Sequence, residues 1–318
     1  MTTANPWTYA KGLHELGNGA WAWLQPDGGW GWSNAGLIVD GDHSLLVDTL
    51  FDAKMTRTML GAMRDATGLA ADDIGTLVNT HANGDHTHGN GLCGCAEIIA
   101  STASAREMEE VSAARLAAMM AAAPDLGHTG AYLTEIFGAF DFTDVAERAP
   151  TRTFSGALSL AVGDKAVELI EVGPAHTAGD VLVHVPGDRI VYTGDILFID
   201  GTPIMWAGPV SNWIAACDRI LAMDVETIVP GHGPITDKAG VRKVQDYLCY
   251  INGEARKRFD AGLSAREAAH DIALGDFASW IDAERIAVNV DTLYREYRGD
   301  TSSPDIVALF GLMAELKR

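Results

Sequence analysis

Short apolar runs that each end in a glycine-flanked loop bearing histidine or aspartate constrain this chain more than any other feature. Residues 74–78 run into Thr80-His81-Ala82-Asn83-Gly84-Asp85-His86. Residues 167–172 precede Gly173-Pro174-Ala175-His176. Residues 190–192 precede Thr193-Gly194-Asp195, and residues 227–229 precede Pro230-Gly231-His232-Gly233. Successive strand side chains point to opposite faces, so ligands this close in sequence converge only from a loop. Imidazole with carboxylate suits zinc, iron or manganese. Glycine allows the tight turns and close backbone approach that such loops need. If the runs are strands of two packed sheets, the four loops gather at one edge.

The surrounding pattern agrees. Residues 20–24, 34–39 and 44–47 alternate or run apolar as strands, with turns at 25–29 and 40–42. Asp52 caps a helix that carries Met55, Met59, Leu60 and Met63 at helical spacing. Residues 97–100 predict a strand and 101–123 one helix; about 101–150 reads as an inserted helical segment whose aromatics join the core. Strands follow at 167–172, 181–185, 190–192 and 227–229, with a helix at 211–223. After Pro234 the chain reads as helical to its end, with a capping-box signature from Ser264 to Glu267. The 318 residues suit about two domains at ~150 residues each, or one decorated α/β domain. The pattern predicts two similar βα halves packed sheet to sheet, with helices outside.

Charge narrows the partners. Lys and Arg number 23 against 43 Asp and Glu, a net charge of −20. A surface this acidic repels phosphate backbones and anionic membranes. The expectation is a small-molecule substrate, with no nucleic-acid or membrane partner. No apolar stretch approaches the ~20 residues that cross a bilayer. Residues 1–12 lack the basic and apolar regions of a signal peptide. Cys93, Cys95, Cys217 and Cys249 form no zinc knuckle. Cys217 and Cys249 are expected to be buried in helices. Together these readings predict a cytoplasmic protein with reduced thiols.

Taken in order, the loops resemble the metallo-β-lactamase superfamily. That family carries a His-x-His-x-Asp-His loop, a later His, an Asp or Cys, and a last His after glycine. Here those positions hold His81, Asn83, Asp85, His86, His176, Asp195 and His232, and the resemblance spans about residues 14–235. It implies an α/β fold, an αββα sandwich, over residues 1–235, with the helical insertion at about 101–150. Residues 236–318 form a C-terminal helical extension packed on the same domain. It further implies one or two divalent metal ions, zinc first, with manganese or iron as alternatives. His81, His176 and Asp195 form one site, with Asn83 in the place of the second His. Asp85, His86 and His232 form the other, and Asp195 bridges the two. An Asp at the bridging position resembles the glyoxalase II, lactonase and sulfatase branches.

Asn83 is the departure. An amide oxygen is neutral and a poorer ligand than imidazole. Asn83 then either ligates weakly, stands off to bond a water or the substrate, or marks a member with one metal or none. Asp48 resembles the Asp that supports the metal loop from beneath, and His88 is expected in a supporting place nearby. Trp30 and Trp32, on the early 28–33 loop, and Trp206 are expected to line the substrate pocket. The C-terminal helices either shape that pocket or build a homodimer interface.

The implied activity is metal-dependent hydrolysis. A metal-bound hydroxide attacks an acyl substrate (ester, thioester or lactone), with Asp85 as the catalytic residue that ligates and orients the nucleophile. Two alternatives stay open: an iron-dependent redox member, dioxygenase-like, and a mononuclear or degenerate member with a binding role. Asn83 counts against the persulfide dioxygenase branch, which keeps both histidines of the first loop.

Overall fold

The computed structural model describes residues 7–110 and 112–317. Of the segment read above for a signal peptide, residues 1–6 lie outside the described residues. The first sheet holds β1 (Gly12–Gly17), β2 (Ala20–Leu24), β3 (Ala35–Asp40), β4 (His43–Val47), β5 (Thr76–Val78), β6 (Glu97–Ser101) and β7 (Arg152–Phe154), side by side in chain order. Strands β1 to β4 pair antiparallel, and β4 to β7 pair parallel. The second sheet holds β8 (Ala157–Val162), β9 (Lys165–Glu171), β10 (Val181–Val185), β11 (Ile190–Tyr192) and β12 (Thr227–Val229). Its order is β12-β11-β10-β9-β8, antiparallel except for the parallel β11–β12 pair.

Period-two alternation explains the layering. Ile38, Leu45, Val47 and Val78 face Val181, Val183, Tyr192 and Val229 in a core between the sheets. Their chain neighbours Leu37, Leu46 and Leu77 point the other way, onto Met59, Leu60 and Met63 of α1 (Ala53–Thr67). Leu182, Val191 and Ile228 likewise leave the outer face of the second sheet for α6 (Val210–Ala222) and α7 (Lys238–Asp260). The same cluster takes in α5 (Gly127–Phe137), α8 (Ala265–Asp271), α9 (Ile286–Arg298) and α10 (Ile306–Leu316). Helix α2 (Gly84–Thr87) lies between β5 and β6, and α3 (Thr102–Met108) and α4 (Ala113–Ala122) between β6 and β7. Parallel neighbours need crossover connections. The C-terminal ends of β4, β5, β11 and β12 therefore share one edge, where open α/β sheets place ligands.

Several expectations are corrected. Strands β1, β7 and β8 were not expected: β1 and β8 sit at sheet edges, where their side chains stay half exposed and weaken the alternation. The helix expected over 101–123 is two, because Ser101 caps α3 through the Ser104 N–H and Ser112 starts α4 anew. The chain after Pro234 is not continuously helical; residues 272–285 are loop and short 3₁₀ turns. Cys217 is buried as expected, but Cys249 is exposed, on the solvent side of α7. Among the described residues no helix is long and apolar enough to cross a membrane.

Candidate metal centre

Each ligand-type side chain follows a strand. Past β5 the loop delivers His81 and α2 delivers Asp85 and His86; the β9–β10 loop delivers His176, the β11 end Asp195 and the β12 end His232. Two groups form. The ligand atoms of His81, His176 and Asp195 lie within 4.8 Å of one another, as do those of Asp85, His86 and His232. Asp195 stands between the groups. Its carboxylate lies 3.7 Å from His81 Nε2, 3.3 Å from His176 Nε2, 3.1 Å from His86 Nε2 and 3.4 Å from His232 Nε2. The glycine before His232 is required by this approach, since a Cβ on Gly231 would fall 1.9 Å from Asp195 Oδ1.

The outer hydrogen bonds fix which nitrogen faces inward. Thr80 Oγ1 donates to Asp48 Oδ2 at 2.7 Å, so it accepts from His81 Nδ1 at 3.0 Å. His86 Nδ1 donates to Asp48 Oδ2 at 2.9 Å, and His176 Nδ1 donates to the Ile204 carbonyl at 2.6 Å. A carbonyl or carboxylate only accepts, so Nδ1 carries a proton and Nε2 is the nitrogen that faces the centre. There, Nε2 of His81, His86 and His176 and Oδ1 of Asp195 are buried without a hydrogen-bond partner. Buried polar atoms rarely go unpaired. Imidazole nitrogens and carboxylates converging in this way fit a divalent cation in each group.

The electrostatics point the same way. Burial pushes Asp85 up, but His86 and His232 outweigh it and hold the carboxyl at about 2. Burial opposes charge on His232 too, yet Asp195 and Asp85 lift it to about 8. His86 is raised well above the usual range against burial, by Asp195, Asp85 and Asp48. Burial and the His86 charge press His81 well down. A site with three buried carboxylates retains positive charge wherever it can.

The other expected residues fall in different places. Asn83 is half-buried; its backbone carbonyl accepts from His86 N and Thr87 Oγ1, and its side chain makes no capping bond to α2. Asp48 takes the supporting place, accepting from Thr80 N, Thr80 Oγ1 and His86 Nδ1. His88 lies apart from both groups. Its ring stacks on Phe51, its Nδ1 meets the Phe51 carbonyl, and it packs under the backbone of Gly84. Trp30 is buried against Phe137 and Phe310, and half-buried Trp32 packs on Phe140. Trp206 is half-buried, with its backbone N–H bonded to the His176 carbonyl.

Sequence reasoning missed the residues that tie the loops together. Ser33 Oγ donates to the Asp85 carbonyl at 2.5 Å. Asn34 Nδ2 donates to the carbonyls of Pro230 and Gly233 at 3.0 and 2.8 Å, and its N–H to that of Gly231. Asp180 accepts from Thr177 N and Oγ1, shaping the His176 loop, and burial raises it to about 8. No local pattern marks Ser33, Asn34 or Asp180 in advance.

Two layered sheets with a histidine–aspartate centre on their shared edge define an αββα metal-site fold. The chain belongs to the metallo-beta-lactamase superfamily, whose model matches residues 28–232. Over 88 residues it is 33% identical to the 2,4-dinitroanisole O-demethylase subunit alpha of Nocardioides sp. (strain JS1661), covering 26% of this chain and 26% of that protein. Over 74 residues it is 31% identical to a hydroxyacylglutathione hydrolase of Fuscovulum blasticum, covering 23% of this chain and 29% of that protein. The chain thus spans less than a third of the length of these curated relatives. Among solved structures, a stereoselective inverting sec-alkylsulfatase from Pseudomonas sp. superposes with a TM-score of 0.67 at 16% identity, over 91% of this chain and 50% of that one. A metallo-beta-lactamase from Pontibacter korlensis gives 0.56 at 17% identity, over 74% and 97%. These two show a shared fold.

Proposed function

We propose that this chain is a metal-dependent hydrolase acting on a small acyl substrate, an ester, thioester or lactone. The observation that carries the reading is the pair of buried ligand groups that share Asp195. His81, His176 and Asp195 would hold one ion, and Asp85, His86 and His232 the other, with Asp195 between them. Zinc suits these ligands best, and manganese or iron also fit. Bound there, such ions supply Lewis acidity, lowering the pKa of water from 15.7 toward ~7 and polarising a carbonyl oxygen. The chain's own residues hold and orient. Asp85 is ionised at neutral pH and presents Oδ2 beside His232 Nε2, at 3.3 Å. A carboxylate held this low is a weak base, so its main task is to aim the attacking water. Asn83, without a third imidazole to offer, makes the first site the weaker one. Similarity to a hydroxyacylglutathione hydrolase supports acyl chemistry, and the net charge of −20 supports a partner other than nucleic acid. Four free cysteines support a reducing, cytoplasmic setting. A homodimer built through the C-terminal helices is read out by light scattering, where a monomer at micromolar concentration removes it.

The test is metal identity and stoichiometry by elemental mass spectrometry on protein purified without chelators. Two zinc or manganese ions support a dinuclear hydrolase. One zinc supports a mononuclear enzyme using Asp85, His86 and His232. Iron moves a redox reaction ahead, and no metal after reconstitution sinks the proposal. Asp85→Ala at unchanged metal content should lose turnover on a panel of esters, thioesters and lactones; full turnover would remove Asp85 from the chemistry.

A further inference from the structure

His232 differs from the other three imidazoles of the centre. His81, His86 and His176 each have an outer partner on Nδ1. His232 Nδ1 is buried with none. A hydrogen bond on the outer nitrogen is what ordinarily fixes the plane of a ligating histidine. Something else must hold this ring. Its face lies on Phe198, centroids 5.0 Å apart and planes 1° from parallel. Phe198 is 1% exposed, and its N-terminal and C-terminal neighbours lie in the loop that the Ile199 N–H ties to the His232 carbonyl at 3.0 Å. The Arg285 guanidinium then sits 5.3 Å from the Phe198 centroid and 4.4 Å from that of Trp30.

Arg285 is itself fixed. It is 2% exposed, donates from Nη1 to the Thr202 carbonyl at 3.0 Å, and pairs through Nη2 with Asp282 at 3.2 Å. Burying a guanidinium costs free energy that a purely apolar side chain would avoid, so its retention here asks for a reason. A planar cation over an aromatic ring supplies directional attraction, stronger when desolvated. One cation thereby fixes two rings. One is the Phe198 ring under His232. The other is Trp30, on the loop whose next residues, Ser33 and Asn34, bond to the Asp85 and 230–233 backbones. Arg285 lies beyond residue 232, where the family match ends.

We propose that Arg285 is a positioning residue of the metal centre: acting through Phe198, it sets the plane of the His232 imidazole by stacking, the task that hydrogen bonds perform for His81, His86 and His176. The inference rests on the metallohydrolase reading above. It also gives the C-terminal extension a part in the site.

The experiment is a cobalt(II) titration of the full-length metal-free protein, following the visible ligand-field spectrum and the affinity of each equivalent. Arg285→Met should weaken the equivalent bound by Asp85, His86 and His232 by about tenfold or more, the range seen when outer supports of ligands are removed. Its spectrum should shift, and the other equivalent should lose less, because His176, which the Phe198 ring meets edge-on at 5.6 Å, keeps its own bond to the Ile204 carbonyl. Arg285→Lys, which keeps the charge but not the planar face, should fall between. Because losing a buried cation also strands Asp282, Phe198→Leu is the companion: it leaves the ion pair intact and should give the same larger loss at the equivalent that His232 binds. Arg285→Met that folds like the wild type, with unchanged cobalt affinity and spectrum, overturns the inference, and so does a Phe198→Leu protein that binds as the wild type does. Wild-type protein that binds no cobalt overturns the metallohydrolase reading itself, a result distinct from variants that merely match the wild type.

Discussion

Asp48 concentrates more of the candidate site than its distance from it suggests. It sits at φ +63°, a left-handed conformation that Asp and Asn tolerate. From there one carboxylate accepts from Thr80 N, Thr80 Oγ1 and His86 Nδ1. Asp48→Asn keeps the turn but replaces one acceptor oxygen with an NH₂ that cannot accept from His86. Metal affinity should fall about 10–100-fold, measured by competition with a chelator; an unchanged affinity would reduce Asp48 to a turn residue. Asn83→His restores the imidazole that the first loop lacks. It should convert a weak second equivalent of zinc into a tight one by calorimetric titration, and no gain would place residue 83 off the metal. The ligand-bearing loops were legible because His, Asp and flanking Gly are themselves the chemistry. Their supports were not. His176 is held by the Ile204 carbonyl, which leaves no side-chain signature, and Asn34 acts on residues 230–233, almost two hundred positions away.

At the scale of elements, the buried strands were readable, β12 at a sheet edge among them, and the more exposed edge strands β1, β7 and β8 were not. Strands β10, β11 and β12 are apolar but for His184 and Thr227, because both faces are covered. β8 alternates exposed with half-buried residues at the rim of its sheet, and β7 is three residues long. Nothing in their composition outweighs a loop. The packing of sheet on sheet makes its own prediction at Gly36, in β3. A Cβ there would meet the Tyr192 ring at 2.3 Å. The ring cannot swing aside freely, since its hydroxyl donates to the Trp21 carbonyl at 3.0 Å. Gly36→Ala should destabilise the protein by about 1–3 kcal/mol, the usual cost of overpacking a core. Urea denaturation would show it as a lower midpoint at unchanged slope; an unshifted midpoint would mean the sheets part without penalty at this point.

For the molecule as a whole, the centre couples stability to pH with opposite signs in the metal-free and metal-bound states. Without metal, Asp85 is held at about 2 against an ordinary 3.8, with His86 and His232 overriding burial. That contribution is present above pH 3.8 and is lost as pH falls through 2. His232 is lifted from 6.5 to about 8, with Asp195 and Asp85 overriding burial. That contribution is complete below pH 6.5 and is lost as pH rises through 8. Asp195 is displaced in the same direction as Asp85, and His86 in the same direction as His232. His81 and His176, pushed down mainly by burial, instead cost stability as pH falls below 6.5, so the metal-free protein should melt highest near about pH 6 and lose stability toward pH 9. Metal reverses the upper limb. It needs the Nε2 lone pairs of His86 and His232, so binding releases their protons and tightens as pH rises. At a thousandfold excess over Kd, ligand linkage adds about 4 kcal/mol. Thermal melts with a chelator and with zinc, at pH 6 and pH 9, should show a gap in Tm that widens at pH 9. The widening comes from both sides, since the metal-free protein weakens while the loaded one holds. A gap of the same size at both pH values would mean that zinc does not displace protons from these histidines, and the two ligand groups would then have to be read as a buried ion-pair network.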